Sequence, residues 1–178
     1  MKSSELIKAR QEWKKRNIES ELFRIKKHFY NNEVENLYKY IYARHSWIYK
    51  TIIDKGLKKL LNNADKILLV GSGMYPYSLI DMFKRYPDKS YFGIEILSSC
   101  ATLSKQIIEK TPAKGSITII EADGVLFDYS NFTENDMIFI SCDVDTKDVI
   151  ERIVKTSGAQ FWVCAPYEKV WIKNLLTN

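Results

Sequence analysis

The segment from Lys66 to Glu95 constrains the fold more than any other part of the chain. Its apolar run Ile67–Val70 predicts a buried strand, the glycines after it predict a tight turn, and a helix is expected from about Pro76. Tyr91–Ile94 predicts a second strand that ends on an acid. Glycine lets the backbone approach a ligand closely, and an acid about 20 residues later suits a ribose diol. The segment therefore predicts a nucleoside-binding half-site in an α/β sheet.

Strands and helices continue to alternate along the rest of the chain. The further predicted strands are Ser116–Ile120, Met137–Ser141 and Gln160–Cys164, and the predicted helices are Pro76–Arg85, Ser99–Lys110 and Thr146–Lys155. Solidly apolar strands between amphipathic helices are typical of a parallel sheet covered on both faces. We predict an α/β fold with a Rossmann-like parallel sheet in the order 3-2-1-4-5, truncated after strand 5. Ligands of such sheets bind at the carboxyl ends of the strands, beside strand 1.

The N-terminal third has a different pattern. Residues 1–62 contain no proline and no glycine before Gly56, and their apolar residues recur at helical spacing. One helix is expected to carry Tyr42 and His45 on the same stripe. We predict a helical cap over residues 1–62 that packs as a lid, followed by a Rossmann-like domain over residues 63–178, the two forming one compact unit.

Charge is distributed unevenly along the chain. Residues 1–60 carry 15 Lys and Arg against 7 Asp and Glu, and the remainder carries 12 against 15. A basic segment of this kind is compatible with an RNA-associated role. Its positive charges are mixed with glutamates along predicted helices, which favours solvated helix faces. We therefore expect a small-molecule substrate and no nucleic-acid partner.

Several classes of protein are disfavoured by composition. No apolar run reaches the roughly 20 residues that span a bilayer, and the N-terminus has no signal-peptide core, so we expect a cytoplasmic protein without membrane contact. The three cysteines are widely and irregularly spaced, which argues against a disulfide framework or a zinc site. The two histidines have no clustered carboxylates beside them, so we expect no metal.

The details of the glycine turn narrow the choice of nucleotide. A dinucleotide-binding turn needs a small residue where Pro76 stands, which disfavours NAD and FAD. No Gly-Lys-Ser/Thr follows the turn, so a phosphate-cradling P-loop is excluded. Few basic residues lie in the turn, which fits a ligand without phosphates. S-adenosylmethionine is such a ligand.

Three short motifs in order resemble those of the class I S-adenosylmethionine-dependent methyltransferase fold. They are VGSG at residues 70–73, GIE at 93–95 and EADG at 121–124. The resemblance implies that the glycine turn lies under the methionyl end, that Glu95 binds the ribose hydroxyls and that Asp123 binds the adenine amino group. The full set of implied binding residues is Gly71, Ser72, Gly73, Met74, Tyr75, Pro76, Glu95, Ile96, Asp123, Gly124 and Cys142.

A narrower resemblance lies in GSGMYP at residues 71–76, preceded by a tyrosine-rich helical segment. This form is similar to nicotianamine synthase and its bacterial opine-metallophore relatives. Those enzymes transfer the 3-amino-3-carboxypropyl group of S-adenosylmethionine and release methylthioadenosine. The chain departs from them in having no acid between Asn36 and Ile53 and in ending 13 residues after Ala165. Its length predicts a very small acceptor, or intramolecular closure to azetidine-2-carboxylate.

Three candidate catalytic residues lie on the predicted cap or just past strand 4. They are Tyr42, whose ring could face a sulfonium cation, His45 as a base, and Asp143 just past strand 4. Each has an alternative: packing for Tyr42, a buried hydrogen bond for His45, and helix capping for Asp143. Two other functions stay open, a small-molecule methyltransferase and a non-catalytic or RNA-associated binding module. Apolar surface beside strand 5 makes a homodimer possible.

Overall fold

A computed structural model describes residues 58–141, 144 and 146–163 of the chain. In this part nine elements follow one another: α1 (Lys58–Asn63), β1 (Lys66–Val70), α2 (Tyr77–Arg85), β2 (Ser90–Glu95), α3 (Ser98–Ile108), β3 (Ile117–Glu121), β4 (Met137–Ile140), α4 (Thr146–Thr156) and β5 (Gln160–Val163). The predicted helical cap lies outside the described residues except at α1. No helix of these elements is both long enough and apolar enough to cross a membrane.

The five strands form one parallel sheet in the order β3-β2-β1-β4-β5. The predicted fold class and strand order are therefore confirmed. The predicted element boundaries hold to within two residues; the helix expected from Pro76, for example, begins at Tyr77. β5 is the last strand of the described sheet, and a homodimer through this edge stays a prediction.

The central strands are apolar because both of their faces are covered. All residues from Ile67 to Val70 in β1 are buried, as are all four residues of β4. Side chains of β1, β2 and β4 pack with Tyr129 and with Val149 of α4 in one core cluster. A strand that is buried on both faces reads as a continuous apolar run, not as an alternation. This is why the sequence pattern identified these strands.

The order of the strands determines where the loops diverge. β1 has β2 on one side and β4 on the other, so the chain leaves β1 and β4 in opposite directions. A crevice opens at the carboxyl ends of the strands where this happens. The glycine turn at residues 71–76 follows β1 at that edge, and the N–H groups of Gly71 and Ser72 both donate to Ile94 O of β2, at 2.9 Å.

At the amino ends of the strands, a buried carboxylate connects the start of β1 to the turn that precedes β4. Asp136, which precedes β4, accepts a hydrogen bond from Lys66 N of β1 at 2.9 Å through Oδ1. Its Oδ2 accepts from Thr133 N at 2.8 Å and from Thr133 Oγ1 at 3.2 Å. Because the carboxylate is buried while it accepts from both residues, it fixes the start of β4 against β1.

Replacing Asp136 by alanine should lower the free energy of unfolding by about 1–3 kcal/mol, because it removes the acceptor of the Lys66 and Thr133 N–H groups. Urea denaturation followed by circular dichroism measures this loss. Glu151→Ala is the control: among the described residues this exposed acid of α4 pairs with Lys147 at 3.9 Å, and surface pairs contribute little. Equal urea midpoints for the two variants would contradict the role given to Asp136.

Candidate functional site

Gly71 opens the turn after β1 and is required there for two reasons. Its φ is +78°, a conformation that side chains with a Cβ rarely adopt. An added Cβ would lie 2.5 Å from Val144 Cγ2 and 3.1 Å from Ser141 Cβ, both in the segment between β4 and α4. The backbone of the turn is therefore pressed directly against the residues that follow β4.

Gly73 has a similar backbone but different surroundings. Its φ is +71°, and no heavy atom of the described residues lies within 4 Å of the position a Cβ would take. Its N–H donates to Oε2 of Glu95 at 2.8 Å. The turn thus presents bare backbone to open space at Gly73, next to a carboxylate, and a Cβ at this residue would fill part of that space.

Glu95 connects the loops that follow β1 and β2. Only 7% of the residue is exposed, and its two oxygens accept from Gly73 N at 2.8 Å and from Leu97 N at 3.0 Å. Glu95 therefore has two backbone partners within the protein. A carboxylate has about four acceptor positions, so each oxygen can still accept from a hydroxyl group. The backbone bonds fix the carboxylate and leave it able to bind a diol.

Gly93 supports this arrangement, a role that its place in the GIE motif did not predict. An added Cβ would lie 2.8 Å from Ile119 Cδ1, 2.9 Å from Ser72 Cβ and 3.0 Å from Leu79 Cδ1. Ser72 of the turn and Leu79 of α2 therefore rest directly on the backbone of β2. A glycine inside an otherwise apolar strand is the sequence signal for such a close approach.

The loop after β3 forms a compact turn around Asp123. Oδ1 of Asp123 accepts from Val125 N at 2.8 Å, and its main-chain oxygen accepts from Leu126 N and Phe127 N. Gly124 packs on the end of β1, because an added Cβ there would lie 2.7 Å from Val70 Cγ1. Packing by itself accounts for this glycine, and its predicted contact with a ligand stays a prediction.

The remaining residues of the turn after β1 are buried. Met74, Tyr75 and Pro76 are all buried, so only a small part of each surface is left for contact with a ligand. Ser72 is also buried, and its hydroxyl finds no hydrogen-bond partner among the described residues. A buried hydroxyl without a partner is uncommon, and in a ligand-binding turn it is a candidate donor or acceptor for the ligand.

Apolar side chains are exposed at the same edge of the sheet. Ile96 follows Glu95 and is 61% exposed, and Leu126 lies in the Asp123 turn and is 75% exposed. Exposed apolar side chains next to fixed polar groups are typical of a site for an amphipathic small molecule. Among the described residues no group of histidine, cysteine and acidic side chains is arranged to hold a metal ion.

The structure brings some of the predicted residues together and does not describe others. Gly71, Ser72, Gly73 and Glu95 form one hydrogen-bonded and packed unit, and Asp123 and Gly124 follow the adjacent strand at the same edge. Four predicted residues lie outside the described part of the chain, namely Tyr42, His45, Cys142 and Asp143.

Comparison of the chain with known proteins gives matches among solved structures. The chain matches no protein-family model and no curated protein sequence. MtNAS, a nicotianamine synthase solved in complex with MTA and tNA, superposes with a TM-score of 0.61 at 18% identity, covering 78% of this chain and 51% of MtNAS. MMP1179 of Methanococcus maripaludis, assigned as an S-adenosyl-L-methionine-dependent methyltransferase, gives 0.56 at 15% identity, covering 74% and 62%.

A geranyl diphosphate C-methyltransferase from Streptomyces coelicolor A3(2), solved with Mg2+, geranyl diphosphate and S-adenosyl-L-homocysteine, gives a TM-score of 0.50 at 10% identity, covering 64% of this chain and 45% of the enzyme. The fold is that of the class I S-adenosylmethionine-dependent methyltransferases. The expected fold resemblance is confirmed, with a nicotianamine synthase among the matches. This chain spans 45% to 62% of the length of the three matched structures.

Replacing Gly93 by alanine should lower the free energy of unfolding by about 1–3 kcal/mol, because the methyl group overpacks the contact between β2, the glycine turn and α2. Thermal unfolding measures the effect. Gly158→Ala is the matched control, since the nearest atom to its added Cβ is 3.5 Å away, an ordinary contact. If Gly93→Ala were as stable as Gly158→Ala, Gly93 would not be the packing point of the turn.

Proposed function

We propose that this chain is an S-adenosylmethionine-dependent enzyme that acts on the 3-amino-3-carboxypropyl group and releases methylthioadenosine. The observation that carries the proposal is the unit formed by Gly73 and Glu95, in which a buried carboxylate at the tip of β2 is fixed beside bare backbone. A nucleoside without phosphates requires a carboxylate that accepts from its ribose diol and a turn whose backbone it can approach closely.

The residues present fit S-adenosylmethionine as a substrate. Glu95 has acceptor positions left for the ribose hydroxyls, Gly73 leaves room for the methionyl end, and the unpartnered Ser72 hydroxyl lies in the same turn. Asp123 at the end of the adjacent strand would accept from the adenine amino group. Exposed Ile96 would contact the flat face of the base.

The choice of the aminocarboxypropyl group rests on two further points. The turn has the form GSGMYP, which is similar to the turn of nicotianamine synthases. Among the matched structures, MtNAS was solved with MTA, the product expected when the methionyl chain and not the methyl group is removed. At 18% identity this match supports the fold, and the chemistry is our proposal.

S-adenosylmethionine supplies a sulfonium that makes each of its carbon–sulfur bonds open to attack. In the proposed reaction a nucleophile attacks the γ-carbon of the methionyl chain, the γ-carbon–sulfur bond breaks, and the sulfur keeps the electron pair as methylthioadenosine leaves. The nucleophile is a small acceptor or the substrate's own α-amine, which loses a proton on closing azetidine-2-carboxylate. Because the substrate is already activated, the protein contributes mainly orientation.

The first test is to incubate the purified protein with S-adenosylmethionine, alone and with a mixture of small amines and amino acids, and to identify products by mass spectrometry. We expect methylthioadenosine above a protein-free blank, which corrects for spontaneous breakdown. Azetidine-2-carboxylate as co-product would assign ring closure, and an enlarged amine would assign transfer to an acceptor. S-adenosylhomocysteine as the only nucleoside product would overturn the proposal.

Methyl transfer is the second candidate, favoured by the match to MMP1179. The nucleoside product distinguishes the two candidate reactions. Attack at the methyl carbon leaves S-adenosylhomocysteine, whereas attack at the γ-carbon leaves methylthioadenosine. Absence of binding to S-adenosylmethionine would contradict both candidates and favour a binding module of another kind.

A pair of glycine substitutions tests whether the turn binds the substrate. Gly73→Ala and Gly115→Ala both place an alanine at positive φ, +71° and +84°, with no described atom within 4 Å of the new Cβ. Both variants should therefore lose about 1 kcal/mol of stability. Only Gly73→Ala should also weaken binding of S-adenosylmethionine, by about tenfold or more, the equivalent of about 1.4 kcal/mol.

Isothermal titration calorimetry measures the affinities and urea denaturation the stabilities. Gly115 precedes β3, at the amino ends of the strands and away from the candidate site. Its substitution therefore measures the cost of an alanine at positive φ without any effect on ligand binding. Equal affinities of the two variants would show that the substrate does not approach Gly73.

A further inference from the structure

The Asp123 turn is held by a side chain from the core, Tyr129. Tyr129 is fully buried, and its hydroxyl donates to Gly124 O at 2.7 Å. Gly124 O and Val125 N belong to the same peptide group, and Val125 N donates to Oδ1 of Asp123 at 2.8 Å. The tyrosine hydroxyl, one peptide group and the Asp123 carboxylate thus form one continuous chain of hydrogen bonds.

Two further contacts fix this series of hydrogen bonds relative to the rest of the domain. The ring of Tyr129 packs edge-on against Phe127, with 5.0 Å between ring centroids. Arg152 of α4 donates from Nε to Phe127 O at 3.0 Å, which fixes the far end of the turn to the helix. Burial raises the pKa of Tyr129, and the nearby Asp123 charge raises it further, so the hydroxyl keeps its proton for donation at neutral pH.

We propose that Tyr129 is a positioning residue for base recognition: through the Gly124–Val125 peptide it sets the direction in which the Asp123 carboxylate faces the ligand. This inference rests on the proposed binding of an adenine nucleoside at the site. Rotation of the 124–125 peptide would swing its N–H away from Asp123. Tyr129 opposes that rotation by holding the carbonyl end of the same peptide group.

The chemical consequence is selectivity for adenine over hypoxanthine. Adenine presents an amino group that donates to a carboxylate, whereas hypoxanthine presents a carbonyl oxygen at the same position, which a carboxylate repels. A site built to accept from an amino group discriminates strongly only if the acceptor is held in place. A loosened Asp123 would therefore still allow both nucleosides to bind, with a smaller difference between them.

The experiment compares the dissociation constants of methylthioadenosine and its hypoxanthine counterpart, methylthioinosine, for three proteins: the natural chain, Tyr129→Phe and Tyr91→Phe. Tyr91 is a closely matched control. It is also fully buried, and its hydroxyl also donates at 2.7 Å to a carbonyl five residues earlier, Tyr86 O. It lies near the start of β2, at the amino ends of the strands, whereas the candidate site lies at their carboxyl ends.

Both substitutions remove one buried hydroxyl and should cost similar stability. We expect the natural chain and Tyr91→Phe to prefer methylthioadenosine equally. In Tyr129→Phe the preference should fall about fivefold or more, with most of the change in the affinity for methylthioadenosine. The reason is that the loosened Asp123 carboxylate no longer holds its hydrogen bond to the adenine amino group. The same preference in all three proteins would overturn the inference, and so would a natural chain that binds both nucleosides equally.

Failure of the inference and failure of the proposed function are separate outcomes. If the natural chain binds neither methylthioadenosine nor S-adenosylmethionine, the proposed function is wrong and the inference falls with it. If Tyr129→Phe does not fold, Arg152→Gln is measured in its place, because it frees the same turn from a half-buried helix position. If Arg152→Gln kept the full preference for methylthioadenosine over methylthioinosine, the inference that the contacts of this turn position Asp123 would be overturned.

A double substitution gives an independent readout. Asp123→Asn removes the carboxylate that is being positioned, so adding Tyr129→Phe to it should change base preference no further. Groups that act through one another show such non-additivity, whereas independent structural effects add. Additive losses of preference would overturn the inference.

Discussion

The hydrogen bonds that Glu95 accepts from Gly73 N and Leu97 N hold the candidate site together. One buried carboxylate fixes the loop after β1 and the loop after β2 relative to each other, so their separation does not depend on a ligand. Gly93 makes this possible, because only a bare backbone there lets Ser72 and the start of α2 rest on β2. The site is therefore preorganised, and any ligand is spared the cost of ordering these loops.

The same principle recurs in the loop after β3. Asp123 is not simply a charged residue at the end of a strand: its carboxylate accepts from the peptide that Tyr129 holds from the core. Arg152 of α4 fixes the far end of the same turn. Both acids of the candidate site are thus oriented by backbone N–H groups. Backbone donors are anchored at both ends by the chain, which makes them more rigid than side-chain donors.

Much of the fold could be predicted because its signals are local. The solid apolar strands, the helices between them and the glycine turn all gave the correct elements, and the strand order 3-2-1-4-5 followed from their alternation. The positions of Gly71, Gly73 and Glu95 at one edge followed from the same pattern. The backbone partners of Glu95 could not be predicted, because they depend on how the loops after β1 and β2 fold over it. The roles of Gly93 and Tyr129 had no predicted counterpart.

The sequence by itself determined the class of fold and placed the candidate site, with residue types suited to a nucleoside, at the carboxyl ends of the strands. These depend on periodicity and on the order of motifs along the chain. Only the tertiary structure decided which groups restrain one another: Gly93 with Leu79 and Ile119, Glu95 with two loops, and Tyr129 with the peptide beside Asp123. Such contacts depend on distances of a few ångströms between segments far apart in sequence, and no spacing along the chain encodes them.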